Sequence, residues 1–348
     1  MKIAITADTH LTSYKETPER YHALKDIFEQ VVSTSLDAVL ISGDLFNKDF
    51  NNYSDFEKLA NEFPKLNIWI LPGNHDSGVS SRSLVGKNLR IFEKTEIIKD
   101  DISFLMVPYQ PGTTMGEVIA SQMEFLSPKQ WALFGHGDWL EGIRTPNPLE
   151  PGTYMSLTRA DLDRYQPIRV FLGHIHAKSD SPIYYPGSPC GIDITETGKR
   201  RFLIFDSNTG NVEARSIHTE VIYQIANLLI LPVEDEATYL HTMISAEKDK
   251  WKVSKEDGVQ TKIRVKVQGY TKDKSALNAL LLDEFNGFSF YKDEAPDLRQ
   301  VATTVDLNKI KIAEKVKDKI ENIELNPSPD EPDRDQILME SLKLIFES

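Results

Sequence analysis

Residues 168–176 read IRVFLGHIH. The apolar run Val170-Phe171-Leu172 predicts a buried strand, and Gly173 stops it. His174 and His176 are two residues apart, so in an extended chain their side chains point the same way. Strand ends often carry polar residues for structural reasons alone, so the pair by itself leaves a bland reading open. The rest of the chain removes it.

Working outward, five of the eight histidines fall just after predicted strands, in ADTH (7–10), GNHD (73–76), FGHGD (134–138) and GHIH (173–176). SGDLF (42–46) adds Asp44, which follows the strand AVLIS and a glycine. In an open α/β sheet, the loops at strand C-termini converge on one rim, where sites are built. The strand-end polar set is therefore Asp8, His10, Asp44, Asn74, His75, His136, His174 and His176. It offers oxygen and nitrogen but no sulfur, which suits a divalent ion such as manganese, iron or zinc. With His75 held apart, two carboxylates, an amide and four imidazoles are too many for one ion. They fit two ions sharing a bridging carboxylate, roughly 3.5–4 Å apart. Gly43, Gly73, Gly135 and Gly173 beside them allow tight turns and close backbone approach. Each motif is weak alone, and GNHD is the most specific. In this order and together they read as a metal centre.

The strands that carry these motifs predict the fold class. KIAIT, DAVLIS, NIWIL, ISFLMV, WALF and RVFL are short, near-continuous apolar runs, the pattern of sheets covered on both faces. Between them, TPERYHALKDIFEQVVS predicts a helix with Thr17 as N-cap and Pro18 at its first position. Leu24, Ile27, Phe28 and Val31 form its apolar face. YSDFEKLANEF predicts an amphipathic helix over 54–63, and another is expected over 83–92. IYYPGS and RRFLIFD are expected to close a second sheet. The first domain is thus α/β and spans residues 1–206. From about 215 the texture changes to strand, helix, strand, helix, strand, ending in GFSFYKD, a small α+β cap over 215–300. Residues 305–348 carry two helices around the proline-rich break NPSPDEPD, the first with Ile312, Val316, Ile320 and Ile323 on one stripe.

At 348 residues, 40% hydrophobic and 27% charged, the chain has ample material for more than one core. No apolar run reaches the length of a membrane helix, and MKIAITADTH is a strand rather than a signal sequence. A single cysteine, Cys190, permits no internal disulfide and reads as packing in a reducing cytoplasm. The net charge of −13 argues against phosphate-backbone binding unless metal ions, a local basic patch or a partner supplies positive charge. Lys48, Arg82, Lys87 and Arg90 are candidates for such a basic lip.

The ordered set DxH, GD, GNHD, GH, GHxH resembles that of the calcineurin-like metallophosphoesterases over residues 1 to about 206. The resemblance implies a four-layer sandwich of two packed β-sheets flanked by helices. Within that superfamily the chain is similar to the SbcD-type nuclease subunit of double-strand-break repair complexes. DLFN after the GD aspartate and YPGSPCGIDITETGKRRFLIFD carry this second likeness, with the cap and the helical tail as weaker, architectural support. The resemblance implies one ion on Asp8, His10, Asp44 and His176 and another on Asp44, Asn74, His136 and His174, manganese being expected and magnesium the alternative. His75 is left free to approach the scissile phosphate. It also implies DNA as substrate, an SMC-like coiled-coil ATPase gripped by the C-terminal helices, and a homodimer within a heterotetramer, paired through the helices at 54–63 and 83–92. One departure stands out. Asn47 occupies the place after DLF where the nucleases usually carry a histidine that orients the phosphodiester, and asparagine cannot be cationic.

The chemistry expected of such a site is in-line attack on phosphorus by a metal-bridging hydroxide. His75 stabilises the pentacoordinate state or protonates the leaving oxygen, with Asp76 holding its ring. Asn47 and Lys48 are candidate substrate contacts. Three readings follow: a two-metal DNA exonuclease and endonuclease, another phosphoesterase acting on nucleotides or phosphoproteins, and a non-catalytic tether for the ATPase.

Overall fold

The computed structural model describes residues 1–126, 130–140, 152–254, 256–324 and 331–347. The chain divides into two compact units, one of residues 1–192 and 199–221, the other of 193–198 and 222–348.

The first unit begins β1 (Lys2–Thr6), α1 (Pro18–Ser33), β2 (Ala38–Ser42), α2 (Ser54–Glu62), β3 (Ile68–Leu71) and β4 (Leu89–Ile91). It continues with β5 (Glu96–Lys99), β6 (Ser103–Val107), α3 (Met115–Leu126), β7 (Trp131–His136), β8 (Trp139–Leu140), β9 (Leu157–Thr158) and α4 (Arg159–Tyr165). β10 (Arg169–Gly173), β11 (Ser179–Asp180), β12 (Tyr184–Tyr185), β13 (Arg201–Asp206) and β14 (Asn211–Ser216) complete it. One six-stranded sheet has the order β14-β13-β1-β2-β3-β4, and the other runs β11-β12-β10-β7-β6-β5. The inner strands β1–β4 of the first and β6, β7, β10 and β12 of the second are parallel.

Alternation along each strand explains the apolar runs, because each face has a different neighbour. Ile3 and Ile5 of β1 join Leu40, Leu71, Phe104, Phe134, Phe171 and Phe205 in a core between the two sheets. Ala4, Val39 and Ile41 face the other way, onto Leu24, Ile27, Phe28 and Val31 of α1 and Phe56 of α2. Leu105, Leu133 and Leu172 meet Met115, Val118 and Ile119 of α3. Helix, sheet, sheet, helix is the four-layer sandwich the motifs imply, and Cys190 is packed in the core under α1.

Several local expectations give way. RRFLIFD does not extend the second sheet; as β13 it pairs antiparallel with β1 of the first. Residues 83–92 form no helix. Gly86 interrupts the run, Asn88 donates from Nδ2 to the carbonyls of Ala60 and Phe63 at the end of α2, and Leu89–Ile91 pairs with β3. Thr17 precedes α1 without a side-chain capping bond, while Pro18 takes the first turn as expected.

The second unit holds β15 (Ile222–Ile230), α5 (Glu236–Trp251), β16 (Thr261–Thr271), α6 (Lys274–Glu284), β17 (Ser289–Phe290), β18 (Asp297–Thr303), α7 (Leu307–Glu321) and α8 (Arg334–Phe346). β16 is central, parallel to β15, β17 and β18. GFSFYKD supplies only the two residues of β17; the longer partner of β16 is β18. α5 and α6 cover one face of this sheet through Leu240, Ile244, Leu277 and Leu281. α7 and α8 pack on Leu229 and Tyr270 of the same sheet and on Leu231 just after β15. The stripe by which α7 packs is Ile310, Ala313, Val316 and Ile320. Of the expected stripe, Val316 and Ile320 pack there, while Ile312 and Ile323 are 51% and 49% exposed. Of the proline-rich break NPSPDEPD, residues 326–330 lie outside the described residues. Among the described residues no helix is long and apolar enough to cross a membrane.

Candidate metal centre

The strand-end loops are held in shapes L-residues resist. Asp8 (φ 57°), His10 (45°), Asp44 (50°) and His174 (95°) all have left-handed backbone. Each such residue costs on the order of 1–3 kcal/mol, and the strain persists only where the surroundings over-determine it. Here they do: Asp8 N donates to Gly43 O at 3.0 Å and His10 N to Asp44 O at 2.9 Å, splicing the loop after β1 to the loop after β2. Three glycines leave no room for a side chain. A Cβ on Gly43 would lie 1.9 Å from His136 Nδ1, one on Gly73 2.2 Å from Asp44 Oδ1, and one on Gly173 2.0 Å from Ser42 O.

The side chains converge in three overlapping groups whose ligand atoms lie within 4.8 Å of one another: Asp8, His10 and His176; Asp44, His136 and His174; and His10, Asp44 and His75. His10 Nε2 and His176 Nε2 face each other at 3.1 Å. Asp44 Oδ2 is 3.7 Å from His10 Nε2 and 3.4 Å from His136 Nε2, between the first two groups. Asn74 Oδ1 lies 2.8 Å from His136 Nε2. His136 Nδ1 is 3.0 Å from the carbonyl of Ser42, which can only accept, so Nε2 is the nitrogen turned toward Asn74 and Asp44. The His75 ring stands edge-on to that of His10, centroids 4.7 Å apart.

These groups are buried, and their protonation shows the strain of it. Burial raises the Asp8 carboxyl to about 6 and lowers the His10 imidazole to about 3. Burial also works on His136, but Asp44 and Asp8 outweigh it and raise that ring to about 10. Asp44 in turn is drawn below the ordinary carboxylate range: burial opposes this, and His136 beside it prevails. Asp8 Oδ2 is buried without a hydrogen-bond partner. A carboxylate grouped with two imidazoles, one of its oxygens orphaned, fits a divalent cation, which would satisfy them together.

The structure thus brings together all seven expected ligands, with His75 at their edge. Asp76 is buried, but its oxygens accept from Gly73 N (2.6 Å) and Phe46 N (3.1 Å). That ties the GNHD loop to the GD loop, a scaffolding task distinct from the expected one of holding the His75 ring. Asn47 is half-buried and Lys48 exposed on the loop after Asp44. Of the basic lip, Arg90 is engaged with Glu96 and lies over the Phe92 ring at 4.8 Å. Sequence reasoning passed over Asp138, which is buried with Oδ1 3.6 Å from His174 Nε2 and Oδ2 accepting from Tyr154 N at 2.7 Å. Its signal was in FGHGD, two residues after His136. Arg20 and Arg200 touch the histidine backbone; Arg20 left no pattern in the sequence, and Arg200 lay within the segment YPGSPCGIDITETGKRRFLIFD without being singled out.

The model of the calcineurin-like phosphoesterase family matches residues 1–178, and the chain belongs to that family. Membership makes it a metal-dependent phosphoester hydrolase, and the histidine and aspartate groups are those that would hold the metal. No curated protein matches the sequence. Among solved structures the chain is similar to an archaeal phosphodiesterase, at 16% identity and a TM-score of 0.34, over 62% of this chain and 99% of that one. It is also similar to the nuclease MPE of Pseudomonas putida, at 13% identity and a TM-score of 0.27, over 61% and 87%. A cold-active protein-tyrosine phosphatase of a Shewanella species matches at 13% identity and a TM-score of 0.30, over 61% and 80%.

Proposed function

We propose that this protein is a two-metal DNA nuclease, a 3′-5′ exonuclease and endonuclease working with an SMC-like coiled-coil ATPase in double-strand-break repair. The observation that carries the two-metal part is Asp44, whose Oδ2 lies between His10 and His136 and so can serve both ligand groups. Asp8, His10 and His176 complete one site; Asn74, His136 and His174 complete the other. When bound, manganese or magnesium supplies an activated water and draws charge from the phosphate oxygens. His75, at the edge of the ligand cluster, donates to the phosphate or to the leaving 3′ oxygen. Asn47 orients the phosphodiester by hydrogen bonding alone, which weakens the exonuclease share of the activity.

DNA is favoured by DLFN and the YPGSPCG segment. The ATPase is favoured by the C-terminal helices, on or beside which Leu307, Ile312 and Leu344 remain exposed after packing on the sheet. Two copies pair through α2 within the heterotetramer. The acidic chain depends on its ions to bring positive charge to the phosphate.

The test is manganese-dependent cleavage of labelled linear duplex and hairpin DNA. Wild type is expected to cut. His75→Ala is expected to keep its manganese and slow by about 10²–10⁴-fold. Asn47→His is expected to raise exonuclease action relative to endonuclease action. A wild type that spares DNA yet hydrolyses a generic phosphodiester would transfer the reading to the nucleotide-directed phosphoesterase.

A further inference from the structure

Two of the ligand histidines are gripped from behind by arginines outside the ligand set. Arg20, in the first turn of α1, donates from Nη1 to the main-chain carbonyl of His10 at 2.5 Å. Arg200, just before β13, donates from Nη2 to the main-chain carbonyl of His176 at 2.8 Å. Arg200 is itself buried, its Nε bonding Ser188 O at 2.7 Å and its Nη2 bonding Ser188 Oγ at 2.6 Å. Gly187, at φ +76°, lets that loop close on the grip, since a Cβ there would meet His176 O at 2.6 Å.

The other two ligand histidines are held differently. His136 is fixed through its own ring by Ser42 O, and His174 through its amide by Asp8 Oδ1 at 2.8 Å. The arginines therefore act on the two histidines that share one ion. An arginine beside a divalent cation repels it, so electrostatics alone would place neither there. What a guanidinium offers is a rigid fork that fixes the carbonyl of a peptide. Turning that peptide swings the attached imidazole, and at His10 the backbone is already left-handed.

We propose that Arg20 and Arg200 are paired positioning residues for the Asp8/His10/His176 ion, holding the main chain of the two histidines so that their Nε2 atoms face one point. This rests on the two-ion reading above. The ion of Asn74, His136 and His174 does not depend on them.

The test is manganese binding by the full chain, read by calorimetric titration and by the electron paramagnetic resonance of the bound ions. Wild type is expected to take up two ions with a spin-coupled signal. Arg20→Met and Arg200→Met are each expected to keep one ion at wild-type affinity and weaken the other about 10–100-fold, leaving the spectrum of isolated manganese. Arg200→Lys, which restores a donor without the fork, should recover part of the loss, and it carries the same expectation should Arg200→Met fail to fold. Variants that bind both ions as wild type does would overturn the proposal. So would variants that lose both ions in equal measure, which is the mark of general destabilisation. A wild type that binds no divalent ion would instead overturn the two-ion reading itself.

Discussion

Asp76 shows how much one side chain can be asked to do at this site. Its carboxylate joins two loops through backbone amides, yet it is buried and faces the charge of Asp44, and burial with that repulsion raises it to about 6. Its ordinary value is 3.8. A carboxyl raised in the folded state binds its proton more tightly there than in the unfolded chain. The stability it lends is complete below pH 3.8 and is lost as pH rises through about 6. Asp76→Asn abolishes that loss. In EDTA, the melting temperature of the variant relative to wild type should climb between pH 4 and pH 6.5 and then level off. A difference that is flat across this range, or that falls, would show that the carboxylate is already ionised in the fold.

At the scale of elements, α8 illustrates how a helix outside the catalytic fold is secured. Asp333 caps it: Gln336 N donates to Asp333 Oδ1 at 2.8 Å, and Asp333 N donates back to Gln336 Oε1 at 2.9 Å. This reciprocal box satisfies a terminal donor of the helix and sets the direction of its first turn. Leu338 and Leu342 then reach the sheet. Asp333→Ala should cost about 1 kcal/mol of the second unit's stability in urea and leave manganese uptake unchanged. Equal effects on both would mean that the helix supports the metal centre as well.

At the scale of the whole molecule, each unit has its own apolar core and a different dependence on ligand. Every expected metal ligand belongs to residues 1–192, in the first unit. A ligand bound only by the folded state stabilises by about 2.7 kcal/mol at one hundred times its Kd. Scanning calorimetry should therefore resolve two transitions, of which manganese raises one. A single transition displaced as a whole would show that the units unfold together.

The site could be read in advance because its chemistry is local. DxH, GD, GNHD, GH and GHxH each place a ligand a fixed step beyond a strand, and strands of a parallel sheet deliver their C-terminal ends to one rim. The helical face Leu24, Ile27, Phe28 and Val31 was equally plain, since period and burial coincide. What the sequence left open depended on contacts between distant segments. RRFLIFD reads as a strand in any sheet, and only the edge of β1 decides which one it joins. Residues 83–92 read as a helix until Asn88 closes the end of α2 and β3 offers Leu89–Ile91 a partner. The stripe of α7 could be drawn along several lines, and Leu229 and Tyr270 choose the one through Ile310 and Ile320. The arginines behind His10 and His176 bond to main-chain carbonyls, which every residue carries, so their partners could not be read from side chains, even for Arg200 within the quoted segment YPGSPCGIDITETGKRRFLIFD. Sequence determined which side chains gather at the rim as candidate ligands, because ligand chemistry resides in side chains; tertiary structure alone decided what holds those side chains still, because that work is done largely by the backbone.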